Sequence, residues 1–241
     1  MDVAVSSAAV LLERTDAILT ITLNRPEVLN AYDRAMRDAI HGALGLVHRD
    51  PSIRVLIVRG AGRAFSSGGD LDEFGTAPSP TRAREVRQIR DVWGRWSTLP
   101  CVSIAAVHGV AAGGGLEMAL LCDLVLCARD ARLSLPETGL GLIPGVGGTQ
   151  TLPRAIGLGR AAAVLLAGDA ISGAEAAQIG LALEAVPAAR LLGTARRLAE
   201  RIAGVDPRLQ FAVKDALRRG RDLPLREALA LERRWARRLG S

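Results

Sequence analysis

The run from His108 to Gly115, HGVAAGGG, followed by LEMALLC, restricts this chain more than any other stretch. Each glycine gives up backbone entropy and offers no side chain to a core. Three in succession, Gly113 to Gly115, therefore point to a place that needs bare backbone. LEMALLC favours a helix, which puts the glycines at its start, where N–H groups lack intrahelical partners and attract negative charge with help from the helix dipole. Glu117 stands three residues past Gly114, about 4.5 Å along a helix axis. A second glutamate, Glu137, comes twenty residues later, behind Pro136 and ahead of the loop GLGLIPGVGG. Taken singly, each glutamate reads as a helix-end or solvated loop carboxylate. Together with the glycines they suit a reaction in which a carbonyl oxygen gains negative charge while a nearby carboxyl moves a proton.

The rest of the chain alternates strands and helices. Ala17–Leu23 carries the alternation ILTITL of a strand, preceded by a strand in residues 2–12 and a turn near Arg14–Asp16. From Ala31 to His48, the residues Met36, Ile40, Leu44 and Val47 fall on one helical face. His41 and His48 are then surface or half-buried helix residues and not ligands. Ile53–Arg59, Leu99–Val107, 122–129 and Arg132–Leu135 read as further strands. Between Glu73 and Trp96 come Pro78, Pro80 and an arginine-rich helix. Past Gln150, TLPRAIGLGRAAAVLLAG predicts a helix pair joined by glycines, and ISGAEAAQIGLALEAVP a helix before the last core strand. Three helices follow, near 188–203, 206–219 and 224–238. The last gathers Leu225, Leu229, Glu232, Trp235, Ala236 and Leu239 toward one face, which an isolated tail helix cannot bury.

Composition excludes several classes. With 49 % hydrophobic and 23 % charged residues the chain reads as soluble and globular, and an aromatic share of 3 % leaves the core to Ala, Leu, Val and Ile. The net charge of +6 is concentrated late: from Arg190 onward there are 14 Lys/Arg against 6 Asp/Glu, and before it 17 against 19. Nucleic acid is thus an unlikely partner for the main body, and a non-catalytic RNA-binding relative remains the alternative of another class. Cys101, Cys122 and Cys127 sit in apolar surroundings without His at ligand spacing, so they read as reduced, buried thiols of a cytoplasmic protein, with no metal site. Asp2 and the missing basic segment argue against a secretory leader. Thr98–Leu116 is uncharged, yet its His108 and glycines favour a buried core over a membrane span. GLGLIPGVGG lacks the strand and acidic residue of a dinucleotide fingerprint, and the single lysine, Lys214, rules out a P-loop. Ser66 and Ser67 have no His–Asp set beside them and are not nucleophiles.

Four stretches in order carry a specific resemblance. AAVHGVAAGGGLEMALLCDLVLCA and SLPETGLGLIPGVGGTQTLPRAIG resemble the two signature segments of the enoyl-CoA hydratase/isomerase superfamily, the crotonase fold. AFSSGGDL at Ala64–Leu71 resembles its first oxyanion-hole loop, and NRPEVLNA at Asn24–Ala31 its N-terminal coenzyme A segment. The resemblance implies an α/β spiral of strand–strand–helix units over residues 1–187, with a helical region at 188–241 for trimer or hexamer formation and part of the coenzyme A pocket. It implies oxyanion donors at the N–H groups of Gly69 and Gly114, and catalytic carboxyls at Glu117 and Glu137. The same resemblance implies contacts to coenzyme A at Arg25, Val28, Ala64, Ser66, Gly68, Asp70, Leu71, Val110, Gly113, Pro136 and Gly145. Coenzyme A would arrive as the substrate's thioester, with no separate cofactor. Both glutamates at this spacing favour hydration of a 2-enoyl-CoA over the 3-enoyl to 2-enoyl isomerisation known in the same family.

Overall fold

The computed structural model describes residues 8–73 and 90–240. The expected strand residues 2–7 and the arginine-rich helix within 74–89 lie outside them. Strand β1 (Val10–Thr15) pairs antiparallel with β2 (Ile18–Leu23), and β3 (Val55–Gly60), β4 (Val102–Val107), β6 (Leu124–Ala128) and β9 (Glu184–Val186) continue the sheet in parallel. The β1–β2 turn falls at Asp16, whose φ is +52°, and not across Arg14–Asp16, because Arg14 pairs with Leu19 inside the ladder. Parallel strands covered on both faces need apolar side chains facing both ways. VLIVRG in β3 meets that demand, with Val55 to Val58 all fully buried.

Helices cover the sheet. Helix α1 (Arg34–Arg49) starts at Asp33, whose side chain accepts from Met36 N, and it buries the expected Met36, Ile40, Leu44 and Val47 against β1 and β2. Short α2 (Val92–Ser97) packs on α1. Helix α7 (Ala188–Ala203) lies on β3, β4 and β6, where Leu191, Ala195, Ala199 and Ala203 join the core. Three alanines on that face let the helix approach the strands closely.

A second, three-stranded sheet carries the glycine run. Strand β5 (Val110–Ala112), which periodicity did not reveal, pairs in parallel with β7 (Arg132–Ser134), and β7 pairs with β8 (Ile171–Ser172). Helix α3 (Gly114–Leu120) leaves β5 directly. Past β7 come α4 (Gly148–Ile156), which begins before Gln150, then α5 (Leu158–Ala167) and α6 (Gly173–Gln178). Gly157, at φ +81°, joins α4 to α5 as the sequence implies.

Helix α8 (Pro207–Gly220) crosses the amino ends of the parallel strands. The Lys214 side chain is 8 % exposed; its Nζ donates to Asp123 Oδ2 at 2.6 Å and to the Cys101 carbonyl. Asp123 Oδ2 also accepts from Ser103 N at 2.8 Å and Ser103 Oγ at 2.9 Å, and Gln210 Nε2 donates to Arg54 O at 2.8 Å. Arg54, Cys101 and Asp123 each lie just before or one residue short of β3, β4 and β6. Helix α9 (Leu225–Leu239) packs on α8, and Trp235 meets Phe211 edge-on at 5.8 Å while donating to Asp215 Oδ2. Its buried residue is Leu231, while Leu225 and Leu229, on the face the sequence gathers, are 74 % and 43 % exposed in the single chain.

Removing one partner of a buried ion pair strands the other. Lys214→Ala is therefore expected to lower unfolding free energy by about 3 kcal/mol, whereas Lys214→Met combined with Asp123→Leu should recover most of it. Urea denaturation of the three proteins checks this.

Candidate active site

The site lies at the carboxyl ends of the same strands, where ligands bind in open α/β sheets. The loop after β3 runs Ala64–Leu71 and is laid directly on β5. Phe65 N donates to His108 O and Val110 O, Ser66 N to Val110 O at 3.1 Å, and Ala112 N to Ser66 O at 3.0 Å. Gly68 has φ +100°, and a β-carbon there would come within 2.8 Å of Ala112 O and 3.2 Å of Gly114 N. A side chain at Gly68 would therefore push apart the two backbones that make the site.

Asn30 holds this loop from outside. Fully buried, at φ +56°, it donates through Nδ2 to Ala61 O at 2.9 Å and Ala64 O at 2.8 Å, and accepts from Arg25 N at 2.9 Å through Oδ1. Ser66 Oγ donates to Asn30 O at 2.8 Å and accepts from Gly68 N at 3.1 Å. Tyr32 N donates to Gly68 O and Asp70 N to Tyr32 O. These bonds occupy the N–H of Gly68 and leave that of Gly69. Among the described residues no acceptor takes the N–H of Gly69 or of Gly114. Gly114 opens α3, so its N–H has no intrahelical partner. Gly113 before it, at φ +49° and ψ −129°, donates to Ser134 O at 2.9 Å, which fixes the start of the helix against β7.

The two glutamates converge on this spot with different hydrogen bonding. Glu117 is 2 % exposed, and its Oε1 accepts from Val146 N at 2.8 Å and Gly148 N at 2.7 Å. The Gly/Pro loop and the first residue of α4 thus grip one oxygen through main chain alone. Glu137 opens a short 3-10 helix, Glu137–Leu140, behind Pro136. Its Oε2 is buried without a partner among the described residues, and a β-carbon on Gly113 would lie 3.0 Å from its Oε1. Burial pushes the Glu137 carboxyl above its ordinary range, and the Glu117 carboxyl adds to the rise. An unpartnered buried polar atom costs roughly 1–3 kcal/mol, which a ligand can offset.

The other residues implied by resemblance distribute around this centre. Arg25 Nη1 donates to Ala31 O at 2.7 Å and pairs with Asp70 at 2.9 Å and Asp33 at 3.3 Å. The guanidinium holds the Asp70 carboxyl below its usual range. Arg25 and Asp70 therefore meet each other, tying the loop after β2 to the loop after β3. Val28 and Leu71 are 41 % and 66 % exposed at the rim, Ala64 and Ser66 are buried beneath it, and Val110 and Gly113 bracket β5. Gly145 is exposed; its neighbours Val146 and Gly148 make the contacts to Glu117. Sequence reasoning gave no role to Asn30, although an asparagine that tolerates positive φ inside a turn is the kind of residue that performs it. It also missed the donors to Glu117, which sit about thirty residues away and offer no side chain to notice.

Comparison with known proteins adds the family. Residues 13–241 match the sequence profile described as enoyl-CoA hydratase/isomerase. The chain is 36 % identical over 223 residues to 2,3-dehydroadipyl-CoA hydratase of Escherichia coli, covering 92 % of this chain and 87 % of that one. It is also 36 % identical over 227 residues to (E)-benzylidenesuccinyl-CoA hydratase of Thauera aromatica, covering 91 % and 86 %. Among solved structures, an enoyl-CoA hydratase subunit from Geobacillus kaustophilus superposes with a TM-score of 0.90 at 37 % identity, covering 96 % of this chain and 89 % of that one. One from Bacillus anthracis gives 0.89 at 35 % identity, covering 95 % and 90 %. With the glycine-lined loops and paired glutamates in place and the match running through nearly its whole length, the chain belongs to the enoyl-CoA hydratase/isomerase family, with the crotonase fold.

Proposed function

We propose that this protein adds water across the double bond of a 2-enoyl-CoA thioester, giving the 3-hydroxyacyl-CoA. The observation that carries the reading is the unequal setting of Glu117 and Glu137 beside the unpaired N–H groups of Gly69 and Gly114. The thioester carbonyl oxygen would accept from both N–H groups. Glu117, one oxygen fixed by Val146 and Gly148, would use the other to take a proton from water as the hydroxide oxygen bonds to the β-carbon. The π electrons then move toward the carbonyl, and the enolate oxygen is stabilised by the two donors, at about 3 kcal/mol for one donor in comparable sites. Glu137, whose carboxyl burial raises above its ordinary range, would deliver its proton to the α-carbon, and exchange with solvent resets both carboxyls.

Coenzyme A enters as part of the substrate, with no separate cofactor in this reading. Its nucleotide end would lie against the rim at Arg25 and Val28, the loop residues Ala64, Ser66, Gly68, Asp70 and Leu71 would form the wall of its channel, and Val110, Gly113, Pro136 and Gly145 would complete the coenzyme A site. Burial pushes the thiols of Cys101, Cys122 and Cys127 up to about 12, which leaves them unreactive and fits a reducing cytoplasm. No described helix is long and apolar enough to cross a membrane.

The apolar surface of α8 and α9 supports assembly: Phe211, Val213, Leu217 and Leu225 are between 45 % and 74 % exposed. A trimer or a dimer of trimers would cover them.

Glu117→Gln and Glu137→Gln keep the shape and remove proton exchange, so each should lower the hydration rate by ~10²-fold or more, and the double variant by less than the product. A silent Glu117→Gln, with 3-enoyl-CoA as the better substrate of the parent, would assign isomerisation instead. The raised carboxyl gives a second test. Stability from protonated Glu137 is present below the ordinary carboxylate range and is lost as pH rises through the raised value, so Glu137→Gln should melt near the parent at about pH 4 and above it at about pH 8. Thermal melts at the two pH values check the sign. Light scattering should find three or six chains at micromolar concentration; a stable monomer would remove the assembly.

A further inference from the structure

We propose that Tyr32, backed by Trp93, is a specificity-determining residue that suits this site to short or flat, conjugated acyl groups and against long flexible ones. The inference rests on the reading above that a thioester carbonyl lies between Gly69 and Gly114.

The chain has one tyrosine, three tryptophans and three phenylalanines. Its tyrosine and two of its tryptophans nevertheless form a single line that ends at the second oxyanion donor. Trp96, 1 % exposed, anchors the line; Trp93 stacks on it at 6.4 Å and 30°, and Tyr32 meets Trp93 edge-on at 5.5 Å and 66°. Tyr32 and Trp93 are only half-buried, so part of each ring remains available to a ligand.

The backbone of Tyr32 is bound to the first oxyanion loop, since its N–H donates to Gly68 O at 2.8 Å and its carbonyl accepts from Asp70 N at 3.1 Å. The ring then reaches the second. A β-carbon on Gly114 would come within 2.7 Å of Tyr32 Cε1 and 2.9 Å of Cζ, with Oη nearby as well. On the Gly113 side the corresponding direction meets the Glu137 carboxyl. A carbonyl held at Gly114 therefore has the acid on one flank and a rigid aromatic ring on the other. Such a ring packs well on a planar acyl group with little loss of side-chain freedom. A long alkyl tail must bend around the ring or displace it from Trp93.

The test compares crotonyl-, cinnamoyl- and 2-decenoyl-CoA as substrates of the parent, Tyr32→Leu, Tyr32→Phe and Trp93→Leu. Equilibrium dissociation constants of the saturated butyryl-, 3-phenylpropionyl- and decanoyl-CoA, which cannot be hydrated, are measured beside them. Tyr32→Leu should move the decenoyl-to-cinnamoyl ratio of kcat/KM, and the matching ratio of dissociation constants, by about 10-fold or more toward the long chain. Tyr32→Phe should move these two ratios less than Tyr32→Leu does, by about threefold at most, because it keeps the ring that makes the wall. A Tyr32→Leu protein with parental circular dichroism and unchanged binding ratios overturns the proposal; should that variant misfold, unchanged ratios in folded Trp93→Leu overturn it equally. Shifted binding without hydration of any substrate would reject the hydratase reading and leave the acyl-group inference standing. Hydration with unshifted ratios would do the reverse.

Discussion

The site exists because two stretches of main chain touch. Ser66–Gly69 lies on Ala112–Gly114, bonded through Ser66 N to Val110 O and Ala112 N to Ser66 O, and separated at Gly68 by less than a β-carbon needs. Contact this close fixes the relation between the N–H groups of Gly69 and Gly114 without using either. Each bond across the seam contributes only about 1 kcal/mol net, but Asn30 and Ser66 add a second set from outside. Loss of the Asn30 side chain would leave buried carbonyls at Ala61 and Ala64 without donors, so the loop geometry is enforced more by the cost of unmade bonds than by the gain of made ones.

The same backbone economy separates the two carboxyls. Glu117 and Glu137 are the same residue type a short distance apart, yet one receives two N–H donors and the other has an oxygen with none. Burial raises the Glu137 carboxyl above its ordinary range, and the Glu117 carboxyl adds to the rise. Main chain alone makes this difference in hydrogen bonding, through the turn at Val146–Gly148.

Much of this was legible in the residues because the demands are local. Apolar spacing at Met36, Ile40, Leu44 and Val47 specifies the buried face of α1, and the unbroken run VLIV specifies a strand covered on both sides. The glycine run ahead of Glu117 marks the start of a helix, which the structure places at Gly114. What stayed hidden depends on partners far along the chain. Strand β5 is three residues long and exists through pairing with β7, so no period could reveal it. The last helix turns Leu231 inward because α8 is its only described neighbour surface of consequence, and a helical wheel alone cannot choose among leucines. Asn30 was visible as a turn residue, but its carbonyl partners are set by the tertiary path of the loop after β3.

The two ends of the parallel sheet treat polar groups in opposite ways. At the amino ends, Lys214, Asp123, Ser103 and the Cys101 carbonyl satisfy one another, with Gln210 closing Arg54 O; the sole lysine of an arginine-rich chain is buried there. At the carboxyl ends, Gly69 N, Gly114 N and Glu137 Oε2 are left without partners among the described residues. Unsatisfied buried groups lower stability, and a domain is stable by only about 5–15 kcal/mol in total. A site of this kind therefore requires a firmly closed frame elsewhere, and the α8 clamp supplies one at the far end of the same strands. The two ends are joined directly, since β3 and β4 lead from the clamped residues at one end to the Ala64–Leu71 loop and β5 at the other. Dissatisfaction at the carboxyl ends is tolerable because it is confined to a few atoms.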